Sequence, residues 1–138
     1  MFACLKGLDN KGCMGIVPCG DEYGIDIRPK RGELWLIDLS PVRGHEQSGR
    51  RPGLVISVDL FNQSPADLII IIPVTTREKG IRSHVPIEPL KSGLDKVSFI
   101  KCEDIRSVSK ERLIHRVGKV DQGTLSQVED KLRILMDL

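Results

Sequence analysis

The sequence has no apolar run long enough to cross a bilayer; the longest, Leu68 to Ile72, is strand-sized. Its first residues, Met1-Phe2-Ala3-Cys4-Leu5-Lys6-Gly7, lack the basic stretch and apolar block of a secretory signal. Together these absences give the expectation of a cytoplasmic protein that makes no use of a membrane. The four cysteines, Cys4, Cys13, Cys19 and Cys102, show none of the close Cys-x-x-Cys pairing of a zinc ribbon. Structural disulfides do not suit a cytoplasmic chain, so four free thiols are expected, with Cys102 a small strand residue. Histidine is scarce and scattered at His45, His84 and His115, so neither a metal site nor any other cofactor is expected. The one tryptophan, one tyrosine and three phenylalanines are dispersed, which argues against an aromatic-lined peptide-binding groove. A Walker loop, a dinucleotide-binding glycine fingerprint, a Gly-x-Ser-x-Gly elbow and a His-Glu-x-x-His pair are all missing. Internal repeats are missing too.

What is present fits one domain. The chain of 138 residues is 40% hydrophobic, enough for a single core and too much for disorder. A net charge of +2 is too small to name a nucleic-acid partner, but the charge is clustered. Arg43, His45, Arg50 and Arg51 fall in one expected loop, and Arg77, Lys79 and Arg82 in another. Such loops suit a local anionic ligand, although ordinary solvated loops account for the same charges.

Residues 1–30, rich in glycine and without clean periodicity, read as an N-terminal extension of unknown role; Met14 is an internal alternative start. The domain is expected over residues 31–138. Strands are expected at Glu33 to Leu39, Gly53 to Asp59, Leu68 to Ile72, Ser83 to Glu88, Val97 to Ile105 and His115 to Val120. Pro52 can open the second strand, and Pro86 points to an edge position for the fourth. Leu68 to Ile72 is apolar on both faces, so it belongs at the centre of a sheet or at an interface; Asp67 and Pro73 flank it. Phe61 to Asp67 reads as a turn-rich connection. The one convincing helix closes the chain, capped by Thr124 or Asp121, with an apolar stripe of Leu125, Val128, Leu132 and Leu135. Many short strands and one terminal helix give a mainly β fold, a small antiparallel barrel closed by a C-terminal helix.

Three segments could carry chemistry. Gly44-His45-Glu46-Gln47-Ser48-Gly49-Arg50-Arg51-Pro52 places an imidazole, a carboxylate, an amide and two guanidiniums in one loop. A ribonuclease needs such groups: a base for the 2′-hydroxyl, charge to neutralise a phosphorane-like transition state, and an acid for the leaving oxygen. Arginine suits the second task because its planar fork matches phosphate. Pro73-Val74-Thr75-Thr76-Arg77 could set a hydroxyl on a phosphate oxygen, or the threonines could satisfy local backbone groups. In Lys101-Cys102-Glu103-Asp104-Ile105-Arg106, alternation puts Lys101 and Glu103 on one face with Phe99, and Cys102 on the other with Ser98 and Ile100. A cross-strand ion pair on a solvated face is the simpler account of that pattern.

In order along the chain, Arg31-Gly32-Glu33-Leu34-Trp35, Leu39-Ser40-Pro41, Gly44-His45-Glu46-Gln47 and Arg51-Pro52 resemble the opening of MazF/PemK toxins. The likeness continues through Asp59, Phe61-Asn62, Pro73-Val74-Thr75-Thr76, Ser83-His84-Val85, Gly93-Leu94-Asp95-Lys96, Cys102-Glu103 and Ile105-Arg106. The resemblance spans about residues 31 to 138. It implies an SH3-like barrel, a homodimer, a cognate MazE-like antitoxin, and cleavage of single-stranded RNA without a metal. Operator DNA would be met only through the antitoxin complex. It further implies Arg51, Thr75, His45 and Glu46 as catalytic groups, with the proton carriers open among His45, Glu46 and Glu103 and with Arg51 able to help protonate the leaving oxygen. Gln47, Arg50, Thr76 and Arg77 would bind substrate, as would Ser83, His84, Lys101 and Glu103. Lys101 and Glu103 stand where the PemK-like subgroup has arginine and aspartate, and Asp104 where many members have glutamine. A CcdB-like toxin that grips gyrase without chemistry is the alternative on the same architecture, but it has no need of an arginine–threonine pair beside a His-Glu-Gln loop. A plain SH3-like interaction module ranks below both.

Overall fold

The computed structural model describes residues 28–40 and 49–138. Seven strands form one antiparallel sheet in the order β4-β5-β3-β2-β1-β7, with β6 also paired to β3. The strands are β1 (Glu33–Asp38), β2 (Arg50–Val55), β3 (Leu68–Thr75), β4 (His84–Ile87), β5 (Ser98–Lys101), β6 (Arg106–Ser109) and β7 (Leu113–Lys119). Two short helices, α1 (Asp59–Asn62) and α2 (Pro89–Ser92), lie in connections, and α3 (Gln122–Met136) ends the chain. The barrel expectation holds in an open form: the sheet curls but its path ends at β4 and β7.

Alternation along the strands sends side chains to two cores. Leu34, Leu54, Ile72, Val74, Val85 and Ile100 meet Leu125, Val128 and Leu132 of α3. Trp35, Ile37, Val55, Ile69, Ile71, Val108 and Leu113 fill the other side of the curl. This division explains why Leu68 to Ile72 is apolar throughout. β3 is central, bonded to β2 on one edge and to β5 and β6 on the other. It also runs further than expected, through Pro73 to Thr75. Pro73 is tolerated there because β6 pairs Leu68 to Ile71 and β5 pairs Val74 and Thr75, so Pro73 lies in the gap between them.

The same gap splits the strand expected at Val97 to Ile105. The chain follows one edge of β3, leaves it opposite Ile72 and Pro73 in a 3-10 turn at Cys102–Asp104, and rejoins it as β6. β2 likewise differs from expectation. It begins at Arg50 and ends at Val55, so Arg50 and Arg51 are strand residues and Pro52 is internal, opposite Leu36. Pairing with β3 starts only at Gly53, which leaves Pro52 with a single neighbouring strand. Ile56 to Val58, expected to continue β2, are irregular and lead into α1, which is anchored by Asn62, whose side chain bonds both the hydroxyl and the carbonyl of Ser57. β4, carrying Pro86, is an edge strand as expected.

Asp121 caps α3 by accepting from the Thr124 amide at 2.7 Å, so Thr124 is not the cap. Leu125, Val128 and Leu132 are buried, but Leu135 is 46% exposed and does not continue the stripe. Ile134, Met136 and Leu138 are exposed beside it. Among the described residues, no helix is long and apolar enough to cross a membrane.

Candidate functional site

The strand register gathers the expected site residues on the sheet face turned away from α3. Val74, Ile100 and Val85 point toward α3, so their neighbours Thr75, Lys101 and His84 point the other way. Leu54 packs on the α3 side and Val55 on the other, which places Arg51 on the same face as Thr75. The β2–β3 ladder ends at the Gly53–Pro73 pair, and Arg51 and Thr75 each stand two residues beyond it on their own strands. Phe99 pairs with Thr75 and is half-buried, so it floors this part of the face. Phe99 was legible as a neighbour of Lys101 but carried no chemical signature of a site residue.

Thr75 ends β3 and is only 4% exposed. Its hydroxyl oxygen accepts from the Arg77 amide at 3.2 Å, so the local backbone role is real. A hydroxyl that accepts one bond still has its proton to donate, so this role leaves Thr75 able to hold an anion's oxygen. Thr76 and Arg77 are exposed immediately after β3. Arg50 is exposed at the start of β2, and Arg51 is half-buried opposite Ile37. His45, Glu46 and Gln47 lie outside the described residues, in the connection that leads into Arg50.

Expectation fails at Lys101 and Glu103. Lys101 is buried, with His84 as its cross-strand neighbour. The pleat ends there, and Glu103 sits in the 3-10 turn rather than on the strand. A cross-strand ion pair does form, but with His84: Glu103 is held by Ser83 and His84 at the start of the neighbouring strand. Ser83 Oγ donates to its Oε1 at 2.5 Å, and His84 Nε2 lies 2.9 Å from its Oε2. The His84 side chain is 4% exposed and that of Glu103 30%, so His84 is a buried support and the carboxylate reaches solvent. His84 Nδ1 is buried without a hydrogen-bond partner among the described residues. Partial burial pushes the Glu103 carboxyl up, but bonds from Ser83, from its own backbone amide and from His84 outweigh it and hold the group below its ordinary value.

Cys102 turns toward the α3 core, the side that alternation assigns it, and is fully buried. Burial first, and the neighbouring Glu103 charge second, push its thiol up to about 12. It is therefore a packing residue and not a nucleophile. Among the described residues, no three His, Cys, Asp or Glu side chains cluster so as to hold a metal ion.

A curled antiparallel sheet with one helix behind it, and with arginine, threonine and a clamped carboxylate in front, defines a small β protein suited to an anionic ligand that also bears hydrogen-bond donors. The family model for PemK-like, MazF-like toxins of type II toxin–antitoxin systems matches residues 30–136, and the chain belongs to that family. It is 36% identical over 110 residues to endoribonuclease EndoA of Bacillus subtilis, covering 79% of this chain and 95% of the relative. The fold is similar to that of MazF from Deinococcus radiodurans, with a TM-score of 0.74 and 29% identity, over 82% of this chain and 100% of that one. A MazE–MazF structure from the same organism gives 0.67 and 31% identity, over 82% and 99%.

Proposed function

We propose that this chain is the toxin of a type II toxin–antitoxin system, acting as a metal-independent endoribonuclease on single-stranded RNA. What supports the reading is that Arg51 and Thr75 stand on neighbouring strands, each two residues past the Gly53–Pro73 pair, with the alternation that turns both away from α3, in a chain with an endoribonuclease relative. Arg51 stabilises charge on the phosphoryl oxygens, and Thr75 donates to one of them. The attacking group is the substrate's own 2′-hydroxyl. Its oxygen bonds to phosphorus, the bond to the 5′-oxygen breaks, and the 5′-oxygen takes up a proton. The products are a 2′,3′-cyclic phosphate and a 5′-hydroxyl. His45 and Glu46 are assigned to the proton transfers, with Gln47, Arg50, Thr76 and Arg77 on the substrate.

The protein works in the cytoplasm as a homodimer restrained by a MazE-like antitoxin, and it meets operator DNA only within that complex. The MazE–MazF structure and the exposed apolar residues ending α3 support these assemblies. The catalytic domain occupies residues 31–138, and residues 1–30 form an extension without an assigned role. The family match and the endoribonuclease relative do not favour the CcdB-like alternative. The decisive experiment incubates the purified protein with single-stranded RNA in EDTA and identifies the new termini. Cyclic phosphate ends support the reading; intact RNA, or cutting only with added magnesium, overturns it.

A further inference from the structure

The Ser83–Glu103–His84 group has a purpose that phosphate binding does not explain. A carboxylate repels phosphate, so a negative group fixed beside RNA is suited to meet a hydrogen-bond donor. Its surroundings are built to keep it fixed. Ser83 and Glu103 are 20 residues apart, and each carboxylate oxygen receives one bond, from Ser83 on one side and His84 on the other. His84 is buried, so it acts through Glu103 and not on a ligand. An ionised carboxylate has about four acceptor sites and no proton to give. Ser83, His84 and the backbone amide take three, so one remains, and the side chain is open enough to offer it.

We propose that Glu103 is a specificity-determining acceptor that reads the exocyclic amino group of one unstacked RNA base, with Ser83 and His84 as positioning residues. Single-stranded RNA is read on exposed base edges, where adenine, cytosine and guanine each present an amino donor. Uracil presents one imino hydrogen between two carbonyl oxygens, and the carboxylate repels both. One position of the cleavage motif therefore excludes uracil. The inference rests on the ribonuclease reading and adds to it the base class selected by this face.

The test is end-sequencing of a random RNA pool cut by the full chain and by variants whose thermal melts show them folded at the assay temperature. Wild type should exclude uracil at one motif position. Glu103→Gln, which removes the charge and supplies a donor for a carbonyl oxygen, should raise cutting at uracil there by roughly tenfold or more relative to other bases. Preferences elsewhere in the motif should stay. Ser83→Ala should loosen the same position partly, and Ser83→Thr should restore it. A wild-type motif that accepts uracil everywhere overturns the proposal, as does a Glu103→Gln variant slowed equally on all sequences. A wild-type protein that cuts no RNA overturns the ribonuclease reading itself, which is a different outcome.

Discussion

Arg31 Nη2 donates to Glu129 Oε2 at 2.7 Å, joining residues 98 positions apart. The same guanidinium donates through Nε to the Ile56 carbonyl, and the Arg31 amide donates to Asp59. Arg31 thus ties the turn leading into β1, the residue after β2, the start of α1 and α3 together. Arg31→Ala should lower stability by about 1–2 kcal/mol, because partly buried bonds to charged groups are lost together. Arg31→Lys should recover little of it, since an ammonium on a flexible stem cannot serve two acceptors in fixed directions. Urea unfolding of the two variants checks this. Equal stability of wild type and Arg31→Ala would show the bonds to be idle.

Gly118 marks a second close approach. A Cβ there would lie 1.9 Å from the Ser92 carbonyl oxygen, and one on Gly93 2.5 Å from the Val117 oxygen. The end of α2 thus rests directly on β7, covering part of an edge strand. Gly118→Ala should destabilise by at least about 2 kcal/mol, because backbone would have to move. Gly123→Ala meets only an ordinary contact in the first turn of α3 and should be neutral or slightly stabilising. Thermal melts of both variants give the comparison.

The sequence pattern was a sound guide where one physical rule governed a segment. The apolar run at Leu68 to Ile72 forced a central strand, and Pro86 forced an edge. It misled where two rules competed. Alternation from Val97 to Ile105 is continuous, yet Pro73 on the facing strand cannot donate, and the chain breaks into a turn there. That partner lies some thirty residues away, so local periodicity carries no trace of it. The site shows the same limit. Arg51 and Thr75 were named from motif residues, and the strand pairing brings their strands together as far as Gly53 and Pro73, two residues short of both. Glu103 was named too, but its clamp depends on two oxygens meeting Ser83 and His84 across the sheet.

The clamp has a consequence for acid stability. The Glu103 carboxyl is lowered in the folded chain from its ordinary 4.5. A lowered folded value means the carboxylate contributes stability above about that pH and loses it as pH falls through the folded value. The thermal midpoint of wild type should therefore exceed that of Glu103→Gln most near neutrality, and the gap should close below pH 4.5. A gap constant from pH 7 to pH 3 would place the effect of the substitution in packing and not in charge.

The cleavage chemistry divides between Arg51 and Thr75 in a way that substitutions can separate. Losing one oriented donor to a developing oxyanion typically costs about 3–4 kcal/mol, or roughly a hundred- to a thousandfold in rate. Arg51→Ala should fall in that range or below it, with an unchanged melt, because the half-buried side chain lies on the open face and not in either core. Thr75 has two roles, since its oxygen also accepts from the Arg77 amide. Thr75→Val keeps the volume but removes both bonds, whereas Thr75→Ser keeps the hydroxyl. If the hydroxyl holds a phosphoryl oxygen, Thr75→Ser should cut RNA at close to the wild-type rate, and Thr75→Val should be slowed tenfold or more, roughly what one neutral donor provides. A substrate with a 2′-deoxy sugar at the cleavage position should resist every variant, because its attacking oxygen is missing. Cleavage of that substrate would mean that water, and not the neighbouring hydroxyl, attacks phosphorus. Single-turnover rates on one RNA, with its deoxy counterpart beside it, measure all of these.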